Sequence, residues 1–217
     1  MLLRAFQPLA EGAPHVKSPF CGLIALCLIA SAASAADKKP STKGPTDSLT
    51  VLERAVARDS SNFENLLALG ALYIERDRPL EAQRVLGRAN VVKPKNVKVL
   101  VNLGAAYDAS GNSTTAQTLY RQALAIAPGD MSASCRLASS LYALGKQGEA
   151  VDLLRNVIHE KPIAYCAYFT MGVAFADAGI YREAIRMWKK VVEIAPDSPE
   201  AASARESIEV LQKFIGM

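Results

Sequence analysis

The feature that most constrains the fold of this chain is a period of 34 residues that runs from residue 63 to residue 198. The pattern Leu-x-x-Leu-Gly-x-x-Tyr begins at Leu66 and begins again at Leu100. A fixed period of this length is typical of chains built from stacked supersecondary units, which bury apolar surface against their neighbours rather than in one central core. One proline closes each of the four units: Pro94, Pro128, Pro162 and Pro196.

The spacing inside each unit predicts two helices joined by a short turn. Apolar residues recur three and four positions apart, which is the mark of a helix with one buried face. A small residue at a shared position lets the two helices approach closely. The third unit has alanine instead of glycine at this position and Ser134 where a large apolar residue is usual, so it is expected to be the weakest unit. The small residues are Gly70, Gly104, Ala138 and Gly172, and the turn is marked by Gly111, Gly145 and Gly179, with Arg78 and Pro79 in the first unit.

Composition supports an all-α fold. Half of the residues are hydrophobic but only 6% are aromatic, and 36 are alanine, so the apolar content favours helices over strands. The net charge of +4 is too small and too dispersed for a dedicated nucleic-acid binder. We therefore expect no nucleic-acid partner.

The repeats resemble the tetratricopeptide repeat family. The resemblance covers residues 63–96, 97–130, 131–164 and 165–198 without an insertion. It implies a right-handed α-solenoid of four helix-turn-helix repeats whose first helices line a concave groove. In this family such a groove binds a peptide, a helix or a partner domain.

Stacked repeats need capping segments with a polar outer side. Residues 47–60 are predicted to form an N-terminal half-repeat helix capped by Asp47 or Ser48, although a loosely attached amphipathic helix is the alternative. Residues 199–217 are predicted to form a C-terminal capping helix. Its apolar stripe would consist of Ile208, Leu211, Phe214 and Ile215.

The first 35 residues are predicted to be a secretory signal. Lys17 precedes an apolar run over residues 20–36, and small residues around Ala35 fit a cleavage site. An uncleaved membrane anchor is the alternative, but the strongly apolar part is shorter than the roughly 20 residues that a spanning helix needs. Translation from Val16 would give a more compact signal. The mature chain would be periplasmic or secreted and would begin with a flexible linker over residues 36–46.

Two cysteines remain after the signal, Cys135 and Cys166. The resemblance places them on neighbouring first helices of one concave surface. A disulfide requires Cα atoms closer than about 7 Å, and an oxidising compartment would permit it. Two buried free thiols are the alternative.

The sequence carries no recognisable catalytic constellation. His159 is the one histidine beyond the predicted signal, and phosphate-binding glycine loops and nucleophile elbows are absent from the sequence. We therefore expect no enzyme activity, no metal or other cofactor, and no small-molecule substrate.

The resemblance also implies which residues line the groove. Its larger apolar anchors would be Leu67, Ile74, Val101, Tyr142, Phe169 and Val173, and its acidic edge Glu75, Asp108 and Asp177. These predict a partner segment with an apolar stripe and basic flanks. Asn102 and Arg136 match two positions of the carboxylate clamp of heat-shock co-chaperones, but Leu67, Ala71 and Ser132 do not supply the rest.

The predicted function is that of an exported scaffold that binds a peptide or helix of an envelope-assembly partner. The alternatives are a chaperone-like binder of apolar client segments and a self-associating structural protein. A basic run over residues 182–190 is predicted to be a solvated helix face, with contact to an acidic partner or a membrane surface as the alternative. The sequence leaves the oligomeric state and the partner's identity open.

Overall fold

The computed structural model describes residues 48–216, and within that range the chain forms α-helices and no strand. The predicted signal with its cleavage site at Ala35, the linker over residues 36–46, and Asp47 lie outside the described residues. The helices are α1 (Ser48–Arg58), α2 (Phe63–Glu75), α3 (Pro79–Val92), α4 (Val97–Ala109), α5 (Ser113–Ile126), α6 (Met131–Ala143), α7 (Gln147–Glu160), α8 (Tyr165–Asp177), α9 (Tyr181–Ile194) and α10 (Pro199–Ile215).

The eight central helices form four helix-turn-helix units that stack in chain order. The units pair α2 with α3, α4 with α5, α6 with α7, and α8 with α9, and the second helix of each unit packs against the first helix of the next. The all-α stack of 34-residue units that the sequence predicts is confirmed.

A small residue on each first helix makes room for a large side chain from the second helix of the same unit. A Cβ atom added to Gly104 would lie 2.5 Å from Cε1 of Tyr120, and one added to Gly172 would lie 2.3 Å from Nε1 of Trp188. In the third unit the equivalent position already carries a methyl group, on Ala138, and its partner is the smaller Leu154. The first unit pairs Gly70 with Leu86 at a similarly short distance, 2.4 Å from the added Cβ to Cγ, so three units need glycine at this position and the third accommodates alanine.

Polar side chains define where several helices begin and how the turns are made. Asn62, Asn96 and Asp130 each accept a hydrogen bond from the backbone N–H three residues on, at 3.0, 3.2 and 2.7 Å. The predicted turn glycines adopt positive φ, for example 84° at Gly111. In the first unit, where Arg78 and Pro79 were predicted to mark the turn, Asp77 takes that conformation at the equivalent position, with φ 53°.

The third unit tolerates Ser134 where a large apolar residue is usual. Its side chain is buried, and its hydroxyl donates to the backbone carbonyl of Asp130 at 3.0 Å. The buried hydroxyl therefore has an acceptor, and the cost of burying it is reduced.

The N-terminal helix α1 packs against α2. It buries Val56, and the hydroxyl of Tyr73 donates to Oε1 of Glu53 at 2.8 Å. The guanidinium of Arg78 lies 4.6 Å from the centroid of the Tyr73 ring and 3.7 Å from the Glu53 carboxylate. The contact between α1 and α2 thus combines an apolar side chain with a small polar cluster.

The C-terminal helix α10 packs against α9 through two alanines near its start and through Leu211 of the predicted stripe. Ala201, Ala204 and Leu211 are buried, whereas Phe214 is 58% exposed. The predicted stripe is wrong at Phe214, because small alanines let the first two turns of α10 approach α9 closely, while the Phe214 ring makes a T-shaped contact with the Tyr181 ring, at 5.4 Å between centroids. Over residues 48–216, no helix is long and apolar enough to cross a membrane.

Candidate functional site

The first helices α2, α4, α6 and α8 form one continuous surface, which we call the first-helix surface. Each of these helices contacts the next directly, whereas consecutive second helices contact one another less. Because the helices are closer on that side, the stack bends toward it. The first-helix surface therefore lies on the inside of the curve, where a partner segment can be held from several sides.

Apolar side chains remain accessible at both ends of this surface. Leu67 and Ile74 are half-buried on α2, and Phe169 and Val173 are half-buried on α8. Four of the predicted anchors are thus placed where an apolar partner side chain could contact them.

Val101 is a correction to the predicted groove. It is 5% exposed and belongs to a buried cluster with Leu100, Ala123 and Ala133, at the junction of α4, α5 and α6. The small side chain of Ala133 allows α6 to close over Val101. This residue is therefore part of the core between repeats and is not available to a partner.

Asp108 is a second correction, because its carboxylate is already used within the stack. Its Oδ2 accepts from the hydroxyl of Tyr120 at 2.9 Å, and its Oδ1 accepts from the hydroxyl of Ser140 at 3.0 Å. Burial raises the pKa of Tyr120 well above its usual value, and the neighbouring Asp108 charge raises it further. Tyr120 therefore stays a neutral donor, and Asp108 joins α4 to α5 and α6.

Asp177 is engaged in a similar way. Its Oδ2 accepts from the hydroxyl of Tyr142 at 2.9 Å, so a residue predicted as an apolar anchor and a residue predicted as an acidic edge bond to each other between α6 and α8. Glu75, the last residue of α2, is the predicted edge acid that is exposed. Two of the three acids of the predicted edge, Asp108 and Asp177, therefore form hydrogen bonds within the stack.

The middle of the first-helix surface is polar. Arg136 is exposed on α6, and its guanidinium lies close enough to Tyr120 to lower the pKa of that phenol against the larger effects of burial and Asp108. Asn102 is half-buried on the adjacent helix α4. The remaining clamp positions carry Leu67, Ala71 and Ser132, so these positions supply no second cation to complete a carboxylate clamp.

The two cysteines lie on the same surface. The structure joins Cys135 on α6 to Cys166 on α8 through a disulfide, with their Cα atoms 6.0 Å apart. One turn further along, the hydroxyl oxygens of Ser139 and Thr170 are 3.3 Å apart. The first helices of the third and fourth units are thus linked at two successive levels.

A cavity of about 510 Å³ opens at the end of the surface where α2 and α4 begin. Its apolar lining comes from Phe63, Leu67 and Val97, and its charged lining from Glu64 and three lysines. The lysines are Lys93, Lys95 and Lys98. This cavity was not predicted from the sequence; its signal there is the run of three lysines within six residues at the junction of the first two repeats.

No cluster of three or more metal-ligating side chains occurs among residues 48–216. The titratable groups on the first-helix surface bond to one another or face solvent. The arrangement supports binding of a polypeptide by apolar contact, hydrogen bonds and charge.

Comparison with known proteins agrees with the repeat assignment. Residues 98–200 match a family model described as Tetratrico peptide repeat. A comparison with curated proteins found no match.

Several solved structures are similar in fold. The crystal structure of MamA is 24% identical over 67% of this chain and 85% of that chain, with a TM-score of 0.55. A thermophilic TPR protein of Thermus thermophilus is 17% identical over 75% of this chain and 88% of that chain, with a TM-score of 0.66. YrrB, a TPR protein with an unusual peptide-binding site, is 22% identical over 73% of this chain and 81% of that chain, with a TM-score of 0.50. At these identities the likeness concerns the fold.

Proposed function

We propose that this protein is a non-catalytic scaffold that binds a segment of a protein partner on its first-helix surface. The observation that carries the proposal is the presence of half-buried apolar side chains at both ends of the inside of the curve, Leu67 at one end and Phe169 and Val173 at the other. Apolar side chains held at fixed spacing on a rigid repeat surface are suited to a helix or an extended peptide. The structural likeness to repeat proteins, one of them described as having a peptide-binding site, supports the same function.

The distribution of side chains defines what the partner segment should look like. Apolar contacts come from α2 at one end and α8 at the other, whereas Asn102 and Arg136 make the middle polar. A matching segment therefore carries apolar residues toward both ends and hydrogen-bonding residues between them. The larger apolar residues would supply most of the binding free energy.

The proposal includes export to the cell envelope, where the scaffold would serve an assembly of envelope proteins. The supporting observations are the apolar segment that ends at Ala35 and the pairing of Cys135 with Cys166. Disulfides persist mainly in oxidising compartments. The intact mass of protein isolated from the envelope should be that of a chain beginning at Ala36. A mass that includes residues 1–35 would contradict cleavage after Ala35.

Replacing Phe169 with aspartate should reduce capture of the partner at least about tenfold, because a charge would replace an apolar contact near one end of the surface. Phe169 is already partly exposed, so the unfolding midpoint should change little. The measurement is quantitative mass spectrometry of proteins retained from a native envelope extract. Val91→Asp is the matched control, because Val91 is 80% exposed on α3, on the second-helix side.

The outcome separates the candidate functions. One stoichiometric partner that is lost with Phe169→Asp and kept with Val91→Asp supports the scaffold. A broad set of weakly held proteins would support the chaperone-like alternative. Equal retention by both variants would show that the first-helix surface is not the binding site. Val101→Asp is unsuitable for this purpose, since an aspartate there would be buried without a partner.

A further inference from the structure

The cavity between the N-terminal ends of α2 and α4 has a charge opposite to that of the acidic edge predicted from the sequence. Its lining contains three lysines and one glutamate. The single acid, Glu64, lies 3.6 Å from Nζ of Lys93, and both side chains are more than half exposed. An ion pair with that exposure is weak, so the cavity keeps a net positive charge.

The other two lysines have no ion-pair partner within residues 48–216. Lys95 lies in the loop between α3 and α4, and Lys98 lies in the first turn of α4; both are exposed. The first turn of α4 is already capped, because Oδ1 of Asn96 accepts from the N–H of Val99 at 3.2 Å. The positive charge that faces the cavity therefore comes from lysine side chains rather than from the end of the helix.

Beneath the lysines the cavity is apolar. Leu67 and Val97 are half-buried, and Phe63 is 8% exposed with the Lys93 ammonium 4.0 Å from its ring centroid. Leu67 is also one of the apolar contacts of the first-helix surface, so the cavity is continuous with that surface. A ligand that fills it needs an apolar group to cover the floor and a negative charge to meet the rim.

We propose that this cavity binds an acidic stretch of the partner polypeptide, with one apolar side chain on Leu67 and Val97 and flanking carboxylates beside Lys95 and Lys98. The inference rests on the proposed function and specifies its ligand. It reverses the basic flanks expected from the sequence, since Asp108 and Asp177 are engaged by Tyr120, Ser140 and Tyr142 while these lysines face solvent.

The test is selection of binders from a displayed library of random 16-residue peptides on the full chain. Selected peptides should contain more Asp and Glu than Lys and Arg, together with a large apolar residue. Their affinity for Lys95→Glu/Lys98→Glu should fall about tenfold at low salt, and less in high salt. A glutamate at residue 98 is favourable in the first turn of α4, so this variant should fold.

Two further variants keep the test independent of folding. Glu64→Gln removes the one acid of the cavity and should strengthen binding of the same peptides, which damage to the fold could not do. Lys189→Glu/Lys190→Glu makes the same change of charge on α9, outside the cavity, and should leave affinity for these peptides within about twofold.

The results distinguish failure of this inference from failure of the proposed function. Selection of neutral or basic peptides whose binding depends on Phe169 but not on Lys95 and Lys98 would contradict the proposed acidic ligand. The same result would support the proposed scaffold function. Equal losses with the α9 variant would also overturn it, since only net charge would then matter. Selection of no peptide at all would count against both.

Discussion

Substitution of Gly172 by alanine is expected to lower the free energy of unfolding by about 2–3 kcal/mol. The added methyl group would lie 2.3 Å from Nε1 and 2.5 Å from Cδ1 of Trp188, which is 2% exposed. The indole cannot easily move aside, because its Nε1–H donates to the backbone carbonyl of Phe169 at 3.2 Å. Chemical denaturation followed by circular dichroism measures the change.

Two variants test whether this loss of stability arises from the contact between an added Cβ at Gly172 and the Trp188 indole. Gly87→Ala is the same chemical change in the interior of α3, where an added Cβ would meet nothing within 4 Å, and it should stabilise the protein by roughly 0.5–1 kcal/mol. Gly172→Ala combined with Trp188→Leu recreates the Ala138 and Leu154 pair of the third unit. The double variant should therefore be more stable than the sum of the single changes indicates. Additive losses would contradict the size match between the two positions.

Reduction of the bond between Cys135 and Cys166 is expected to lower the free energy of unfolding by about 3–4 kcal/mol. The two residues are 31 positions apart, and closing a loop of that length removes roughly this much conformational freedom from the unfolded chain in the entropic model. The measurement is the denaturation midpoint with and without a reducing agent. The loop encloses α7, so the third unit should lose protection against hydrogen exchange first.

The control is Cys135→Ser/Cys166→Ser, which should resemble the reduced protein and show no response to the reducing agent. Alkylation of the unreduced protein under denaturing conditions provides an independent check. Two modified thiols in chain purified from its native compartment would show that the bond does not form there. An equal response of the serine variant to the reducing agent would show that the loss of stability has another origin.

The repeat period alone predicts the order and approximate bounds of the helices. This works because the residues that define a unit, such as Gly104 and Tyr120, lie within one 34-residue period and contact each other inside it. The same period assigns residues to the first-helix surface. It cannot determine their exposure, because exposure also depends on the size of the neighbour on the next unit.

Val101 and Asp108 show where the sequence prediction fails. Val101 is buried because the small side chain of Ala133 lets α6 pack over it. The carboxylate of Asp108 is bonded because the hydroxyl of Ser140 on α6 donates to it. Both partners lie 32 residues away, on the first helix of the next unit. A carboxylate that counts as available in the sequence can therefore already be bonded in the fold.

The position of the Cys135 and Cys166 pair on the inside of the curve has a mechanical consequence. When a curved stack of helical units is pulled straight, the helices on its inner side move apart. A covalent link on that side resists opening between the third and fourth units, whereas the first and second units are joined only by packing and hydrogen bonds. Under tension the N-terminal half should therefore extend first while the C-terminal half keeps its curvature, so a bound partner would be released from the lysine-lined end.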